Sequence, residues 1–308
     1  MNSTNPKREM VRNKVRFKKT IFALCILILP LAWWAFSFIY NTSGSVILAF
    51  QQYDIKLDKY YWCGLDNFVE VVKDMTSSGG ILNISLRNSF LLWSIGVFVT
   101  IPLSILVSYS IHKKVLMCGF FKIILFLPNI VSGIVWTIIY KYIIEYGVPT
   151  ILGREMTSLL NLPGSDIVCL IVYSEWLSLA ANMVIYTGAM SRIPPTLSEA
   201  GKLDGMSDFQ EFIHIVLPLI FPTLSVVLIT CVLGIFTASL PTYQFYGPRG
   251  VRDGLYTLGY YTFIKGLNQS PVEIPYVSAI SFCVCLLAAP IALFVRWLLE
   301  KIGPTVEY

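Results

Sequence analysis

The sequence predicts an all-α membrane protein with six transmembrane helices. Hydrophobic residues fill 56% of its 308 positions and charged residues only 13%, against the roughly 25% charged residues of a soluble chain. Mean hydropathy is +0.68. The apolar residues gather in six blocks, each near the ~20 residues a helix needs to cross a bilayer. A soluble enzyme is excluded on these grounds. The net charge of +5 is no sign of a nucleic-acid partner, because its excess sits in one N-terminal run.

Residues 1–20 form a basic segment, with Lys7, Arg8, Arg12, Lys14, Arg16, Lys18 and Lys19 against the single acid Glu9. The apolar run 21–40 is too long for a signal peptide and lacks a small-residue cleavage site, so it is expected to stay as the first span. Segment 41–87 is expected to lie outside and to hold short interfacial helices, one around 66–75. Further spans are expected at 88–111, 120–142, 167–190, 216–239 and 277–299, with a tail at 301–308. With the N-terminus inside, the inner segments and adjoining span ends hold 14 of the 23 basic residues. They are also the shorter segments, as the positive-inside rule expects. Both termini are then cytoplasmic.

Aromatic residues fall where the interfaces should lie: Trp33, Trp34, Tyr40, Tyr60, Tyr61, Trp62, Tyr140 and Tyr142. Their rings are apolar and their polar tips stay wet in the headgroup layer. Five of the seven cysteines lie inside apolar blocks, where Cys acts as a small hydrophobe; an odd count argues against a disulfide framework. His112 and His214 are isolated, so no metal or catalytic histidine cluster is expected. No internal repeat is visible, which disfavours an inverted-repeat secondary transporter.

Of the inner loops, 191–218 carries the most information. Pro194 and Pro195 end the fourth span, and Ser198 is expected to cap a new helix starting at Glu199. Asp204-Gly205 is a turn dipeptide. A second helix is expected through Phe209 and Phe212, which lie three apart and so share one face. Glu199, Lys202, Asp204, Asp208 and Glu211 flank this helix–turn–helix against the membrane. On physical grounds alone it could also be an ordinary amphipathic connector.

Glu199-Ala200-Gly201, three residues, Gly205, nine residues and Ile215-Val216-Leu217-Pro218 resemble the EAA loop of ABC importer permeases, E-A-A-x3-G-x9-I-x-L-P. One position departs, Gly201 for the second alanine. Gly64-Leu65-Asp66-Asn67-Phe68 is similar to the external G-L-x-N-F element of the sugar permeases, and Phe126-Leu127-Pro128 opens a third span like theirs. The resemblance is to the first permease subunit of carbohydrate importers of the maltose and multiple-sugar type. It implies the type I ABC importer permease fold, with the core transmembrane domain over 88–300, in a bacterial cytoplasmic membrane. It also implies a coupling helix at 191–218 seated in a separate ATPase, through Glu199, Ala200, Gly201, Asp204, Gly205, Phe209, Phe212, Leu217 and Pro218. Glu199 would pair with a basic residue there, and Gly205 would permit the turn. The implied partners are a second non-identical permease, two ATP-binding cassette subunits, an extracytoplasmic solute-binding (lipo)protein, a sugar and membrane lipid. ATP and Mg would sit on the ATPase; this chain has no G-x-x-x-x-G-K-[ST] loop to bind them by that route. The chain is therefore expected to be a transport subunit and not an enzyme.

A sugar ring has apolar faces and polar edges, and polar residues within spans usually face a cavity or another helix. Candidates are Asn129, Ser132 and Gly133 in the third span, Ser174, Glu175, Ser178 and Asn182 in the fourth, and Phe236, Thr237, Ser239, Thr242 and Tyr243 at the end of the fifth. Ser174, Ser178 and Asn182 recur every four residues and share one face. By resemblance, Asn129, Gly133, Ser174, Ser178 and 234–238 line the sugar site, while the family's aromatic is absent at Ala181. Glu175, the one acid deep in a span, is open to two readings: a sugar-hydroxyl acceptor, or a structural acid bonded to the partner permease. An importer of another solute (peptide, phosphate or amino acid) would share the loop motif, although the lack of intramembrane Arg or Lys disfavours anionic cargo.

Overall fold

The structure, a computed structural model, describes residues 6–115, 118–151, 159–237, 241–247, 251 and 253–304. Helix α1 (Pro6–Ala49) contains the first span and continues past Tyr40, because Val46 to Ala49 stay apolar and Ala49 is fully buried. Two strands that the all-α expectation missed follow, β1 (Gln51–Asp54) and β2 (Lys59–Trp62), antiparallel with Gln51 opposite Trp62. Tyr53, Tyr60, Tyr61 and Trp62 are good strand formers, and the Asp54 carboxylate accepts from the Lys56 amide at 2.8 Å in the turn. Helix α2 (Asp66–Thr76) is the expected external helix.

Helices α3 (Ile81–Ile95) and α4 (Ile101–His112), joined by a π turn, form one second span. The third span is not the straight helix expected over 120–142. Helices α5 (Cys118–Ile130) and α6 (Gly133–Tyr142) meet at 111°. Pro128 removes a backbone donor, and Ser132 has an extended backbone that interrupts the helical ladder. After α7 (Val148–Ile151), the fourth span is α8 (Ser165–Met190). Then come α9 (Pro195–Leu203), α10 (Asp208–Glu211) and, through a π turn, α11 (Leu217–Thr237), the fifth span; its expected last residues, 238 and 239, lie outside the described residues. Two short helices, α12 (Thr242–Tyr246) and α13 (Leu258–Leu267), precede α14 (Glu273–Ile302), the sixth span. Among the described residues, five helices are long and apolar enough to cross a membrane, and the bent pair, counted as one span, makes the six expected blocks.

Polar side chains tie the elements between the spans to the spans themselves. Asn67, the asparagine of the G-L-x-N-F element, is buried. Its amide donates to the carbonyls of Ala49 (2.9 Å) and Gln51 (2.7 Å) and accepts from Gln52 Nε2 (3.1 Å). Phe68 beside it packs on Phe50 and on Phe282 of α14. Asn88 of α3 similarly donates to the carbonyls of Gly254 and Tyr256, both at 2.8 Å. Tyr140 departs from the interfacial reading: it is half-buried, donates to the Cys169 carbonyl (2.9 Å) and packs on Tyr173. Replacing Asn67 by Ala removes the side-chain donor from one buried carbonyl, that of Ala49, and from the part-buried carbonyl of Gln51, at about 1–3 kcal/mol for the buried one before water compensates. The thermal midpoint of the detergent-purified chain is expected to fall by several degrees; an unchanged midpoint would show that the element does not anchor the hairpin.

Candidate functional site

The second, fourth and fifth spans wall a cavity of about 750 Å³. Ser174, Glu175, Ser178 and Asn182 of α8 all line it, so Glu175 shares the wall with the four-residue face. One carboxylate oxygen of Glu175 accepts from Thr100 Oγ1 of the second span at 2.5 Å. The acid is thus bonded within its own chain, a partner that the two sequence readings did not include. Thr100 is reachable because the π turn at 96–100 offsets the register between α3 and α4. The Ser174 hydroxyl donates to the Leu170 carbonyl (2.8 Å) and keeps its lone pairs for the cavity.

The other sequence candidates are not gathered there. Asn129, Ser132 and Gly133 are exposed at the break between α5 and α6 and do not line the cavity. Phe236 packs against the core formed around Leu82, Leu258 and Ile280. Thr237 is exposed and donates to the Leu233 carbonyl, Tyr243 packs edge-on against Phe263, and Thr242 is buried. Ser239 lies outside the described residues; of the 234–238 stretch, Gly234 lines the cavity. Sequence reasoning missed Trp93, which brings an aromatic ring to the cavity that also contains Ala181. Its indole Nε1 is buried and has no hydrogen-bond partner among the described residues. The available signal was a tryptophan inside the second span, at position 93 of the expected 88–111.

The 191–218 loop holds the second constellation. Helix α9 begins at Pro195, not Glu199, with Pro194 as its cap, since proline suits the first helical turn, where its missing N–H has no partner to lose. Ser198 therefore lies inside the helix, and its hydroxyl donates to Glu211 Oε1 at 2.6 Å. The amides of Gly205 and Met206 close the turn onto the carbonyls of Lys202 (3.1 Å) and Gly201 (2.9 Å). Gly205 has φ +78°, a conformation that favours glycine. Ser207 and Gln210 form a reciprocal cap that starts α10. Gly201 is buried; a Cβ there would lie 3.2 Å from Ile215 Cδ1 and from Met206 Sδ, so the motif's second alanine would fit only if these two side chains shifted by a few tenths of an ångström.

Phe209 and Phe212 do not share a face. Phe209 is 71% exposed, whereas Phe212 is 8% exposed and packs on Tyr109 at the end of the second span with ring centroids 4.9 Å apart. Leu217 and Pro218 are half-buried at the base of α11. The solvent-facing side of the loop comprises Glu199, Ala200, Asp204, Gly205 and Phe209, together with Leu203 at 89% exposure.

Glu211 is the hub beneath that surface, 1% exposed. It accepts from Ser198 and forms an ion pair with Lys113 at the end of α4. Lys113 also pairs with Asp208 at 3.1 Å, whose carbonyl accepts from the Tyr109 hydroxyl at 2.7 Å. Burial opposes the Lys113 charge, but Glu211 and Asp208 outweigh it and hold the lysine above its usual pKa. The clamp joins the loop to the second and fifth spans. Sequence reading counted Glu211 only as a flanking acid, because no spacing rule pairs it with a lysine 98 residues away. Among the described residues no cluster of three or more His, Cys, Asp or Glu could hold a metal ion.

Known proteins are similar to this chain in sequence and fold. The multiple sugar-binding transport system permease protein MsmF of Streptococcus mutans is 28% identical over 42% of this chain and 46% of its own length. The arabinooligosaccharides transport system permease protein AraP of Bacillus subtilis is 25% identical over 83% of this chain and 81% of its own. For several relatives the match spans only 46%, 48% or 60% of their length. A crystal structure of a bacterial ABC transporter that imports the acidic polysaccharide alginate superposes with a TM-score of 0.75 at 20% identity, over 96% of this chain and 100% of that one; at that identity the likeness establishes the fold. Residues 83–308 match the description "binding-protein-dependent transport system inner membrane component", a span that takes in the cavity, the broken third span and the 191–218 loop. This chain belongs to that family of multi-pass membrane permeases.

Proposed function

We propose that this chain forms half of the translocation pathway of an ATP-driven oligosaccharide importer. The observation that carries the reading is the combination, in one chain, of a hydroxyl- and amide-bearing cavity between three spans with an exposed loop clamped to two of its walls. The second half would be a non-identical permease. Two ATP-binding cassette subunits carrying ATP and Mg would seat the loops, and an extracytoplasmic solute-binding protein would deliver the sugar. Both termini would be cytoplasmic, which puts the 191–218 loop on the side of the ATPase. Closure of the ATPase pair would push the loop, and the clamp would pass that motion to the second and fifth spans, opening the cavity alternately to either side. The names of two relatives, one for multiple sugars and one for arabino-oligosaccharides, support a carbohydrate cargo.

The test is reconstitution of the four-part complex in liposomes with the binding protein outside and ATP inside. Neutral oligosaccharide uptake is expected to require ATP and all components, with no uptake by this chain alone. Full-rate transport by a homodimer of this chain would overturn the heterodimer. Uptake of a peptide, phosphate or amino acid in place of any sugar would overturn the cargo assignment.

A further inference from the structure

We infer that the cavity wall supplied by this chain is a charge filter, built for uncharged glycans and set against acidic ones, with Glu175 as its charged element. The inference rests on the carbohydrate reading above and deepens it by naming the class of sugar. Among the residues lining the cavity, Glu175 is the single Asp, Glu, Lys, Arg or His side chain. The cavity-facing positions of three spans therefore provide no cation. Lys113, at the loop end of the second span, does not line the cavity and is already engaged by Glu211 and Asp208. Thr100 donates to one oxygen of Glu175 and so fixes the carboxylate's orientation. The other oxygen has no hydrogen-bond partner among the described residues and is available to accept from a glycan hydroxyl.

A neutral sugar meets complementary chemistry at this wall. Its hydroxyls can donate to Glu175 and exchange hydrogen bonds with Ser174, Ser178 and Asn182, and Trp93 offers an aromatic face to its C–H surface. A uronate meets the opposite. Its carboxylate would need either a guanidinium or ammonium partner or full hydration, and the wall offers a like charge in a partly desolvated space. Like charge against the wrong ligand is an effective way to build selectivity, because it penalises the competitor without tightening the cognate ligand. The inference also separates this chain's cargo from that of its structural neighbour, which imports an acidic polysaccharide, and aligns it with the relative named for arabino-oligosaccharides.

Cys231 offers a probe that needs no sugar. It lines the same cavity and is half-buried. In the assembled complex, a variant whose sole cysteine in this chain is Cys231 can be labelled with a cationic and with an anionic methanethiosulfonate of similar size. Normalised to a free thiol, the cationic reagent is expected to react about tenfold faster than the anionic one, as a unit charge several ångströms away would cause. Glu175→Gln should bring the ratio close to one. A ratio already near one in the Glu175 protein, or one unmoved by the substitution, would overturn the filter. A second arm, in proteoliposomes with all native cysteines, compares a neutral oligosaccharide with its uronate analogue. The expected result is neutral uptake with little uronate uptake, and a several-fold shift toward the uronate in Glu175→Gln. Equal handling of both sugars by the native complex also counts against the filter. Failure of every sugar together with a tenfold labelling ratio would instead remove the carbohydrate reading and leave the charged wall standing for another uncharged or cationic cargo.

Discussion

Glu211→Ala is expected to destabilise the assembled permease by about 3 kcal/mol and to reduce ATP-driven uptake more than its effect on protein yield explains. Removing one member of a buried ion pair leaves the other charge uncompensated, which typically costs 3–5 kcal/mol. The lower figure applies here because Lys113 keeps Asp208 and some contact with water. Ser198 loses its acceptor at the same time, so α9 is released from the second and fifth spans together. The double variant Glu211→Ala/Lys113→Met removes the stranded charge and should recover most of the thermal midpoint. Uptake should stay low in both, because the mechanical tie remains broken. A double-mutant cycle on midpoint and on uptake per hydrolysed ATP measures the two effects separately. Recovery of uptake along with stability would reduce the clamp to a structural detail. The ion pair is also insensitive to ordinary pH. Lys113 is raised in the folded state, so its contribution is complete below the unfolded lysine pKa and is lost only as pH climbs through the higher folded value.

The six spans were legible because a span must be continuously apolar for about 20 residues, a signal that survives without any tertiary information. The break at Pro128–Ser132 was less so. A proline inside a span often only kinks it, and the 111° turn depends on the extended backbone at Ser132. The hairpin at 51–62 escaped because its strands are four residues each, shorter than alternation can establish. Within the site, the fourth-span face was readable from its spacing, as Ser174, Ser178 and Asn182 recur by helical geometry alone. What that face confronts was not. Thr100 and Trp93 come from a different span, and π turns at 96–100 and 212–216 change which side chains point inward. Packing against Tyr109 buries Phe212 and leaves Phe209 outside, a difference that three-residue spacing does not carry. Long-range pairs such as Glu211 with Lys113 are decided by packing and leave no local trace.

Glu199→Lys and Gly205→Asp should have the largest effect on transport with the smallest effect on the chain itself. Glu199 is exposed and makes no hydrogen bond or ion pair among the described residues, so the fold has little to lose when its charge is reversed. Gly205 has φ +78° and open space around the position a Cβ would occupy. A side chain there pays only the backbone cost of a left-handed residue, about 1–2 kcal/mol, and aspartate tolerates that region better than most. The two positions flank the exposed Leu203 on the solvent face of the loop, where a partner surface would lie. A partner cleft with a basic residue would be repelled by lysine at 199, and a turn seated in that cleft would be held off by a carboxylate at 205. Each variant should reach the membrane and show a thermal midpoint within a few degrees of wild type. In the reconstituted complex, sugar uptake should fall at least tenfold, and ATP hydrolysis should no longer rise when the loaded binding protein is added. Gly205→Ala calibrates the backbone term, since it carries similar strain with neither charge nor length, and should transport much better than Gly205→Asp. If Gly205→Ala is as impaired as Gly205→Asp, the turn conformation itself limits transport and the contact assignment at 205 fails. Wild-type stimulation and uptake in Glu199→Lys would remove the ATPase from this face of the loop.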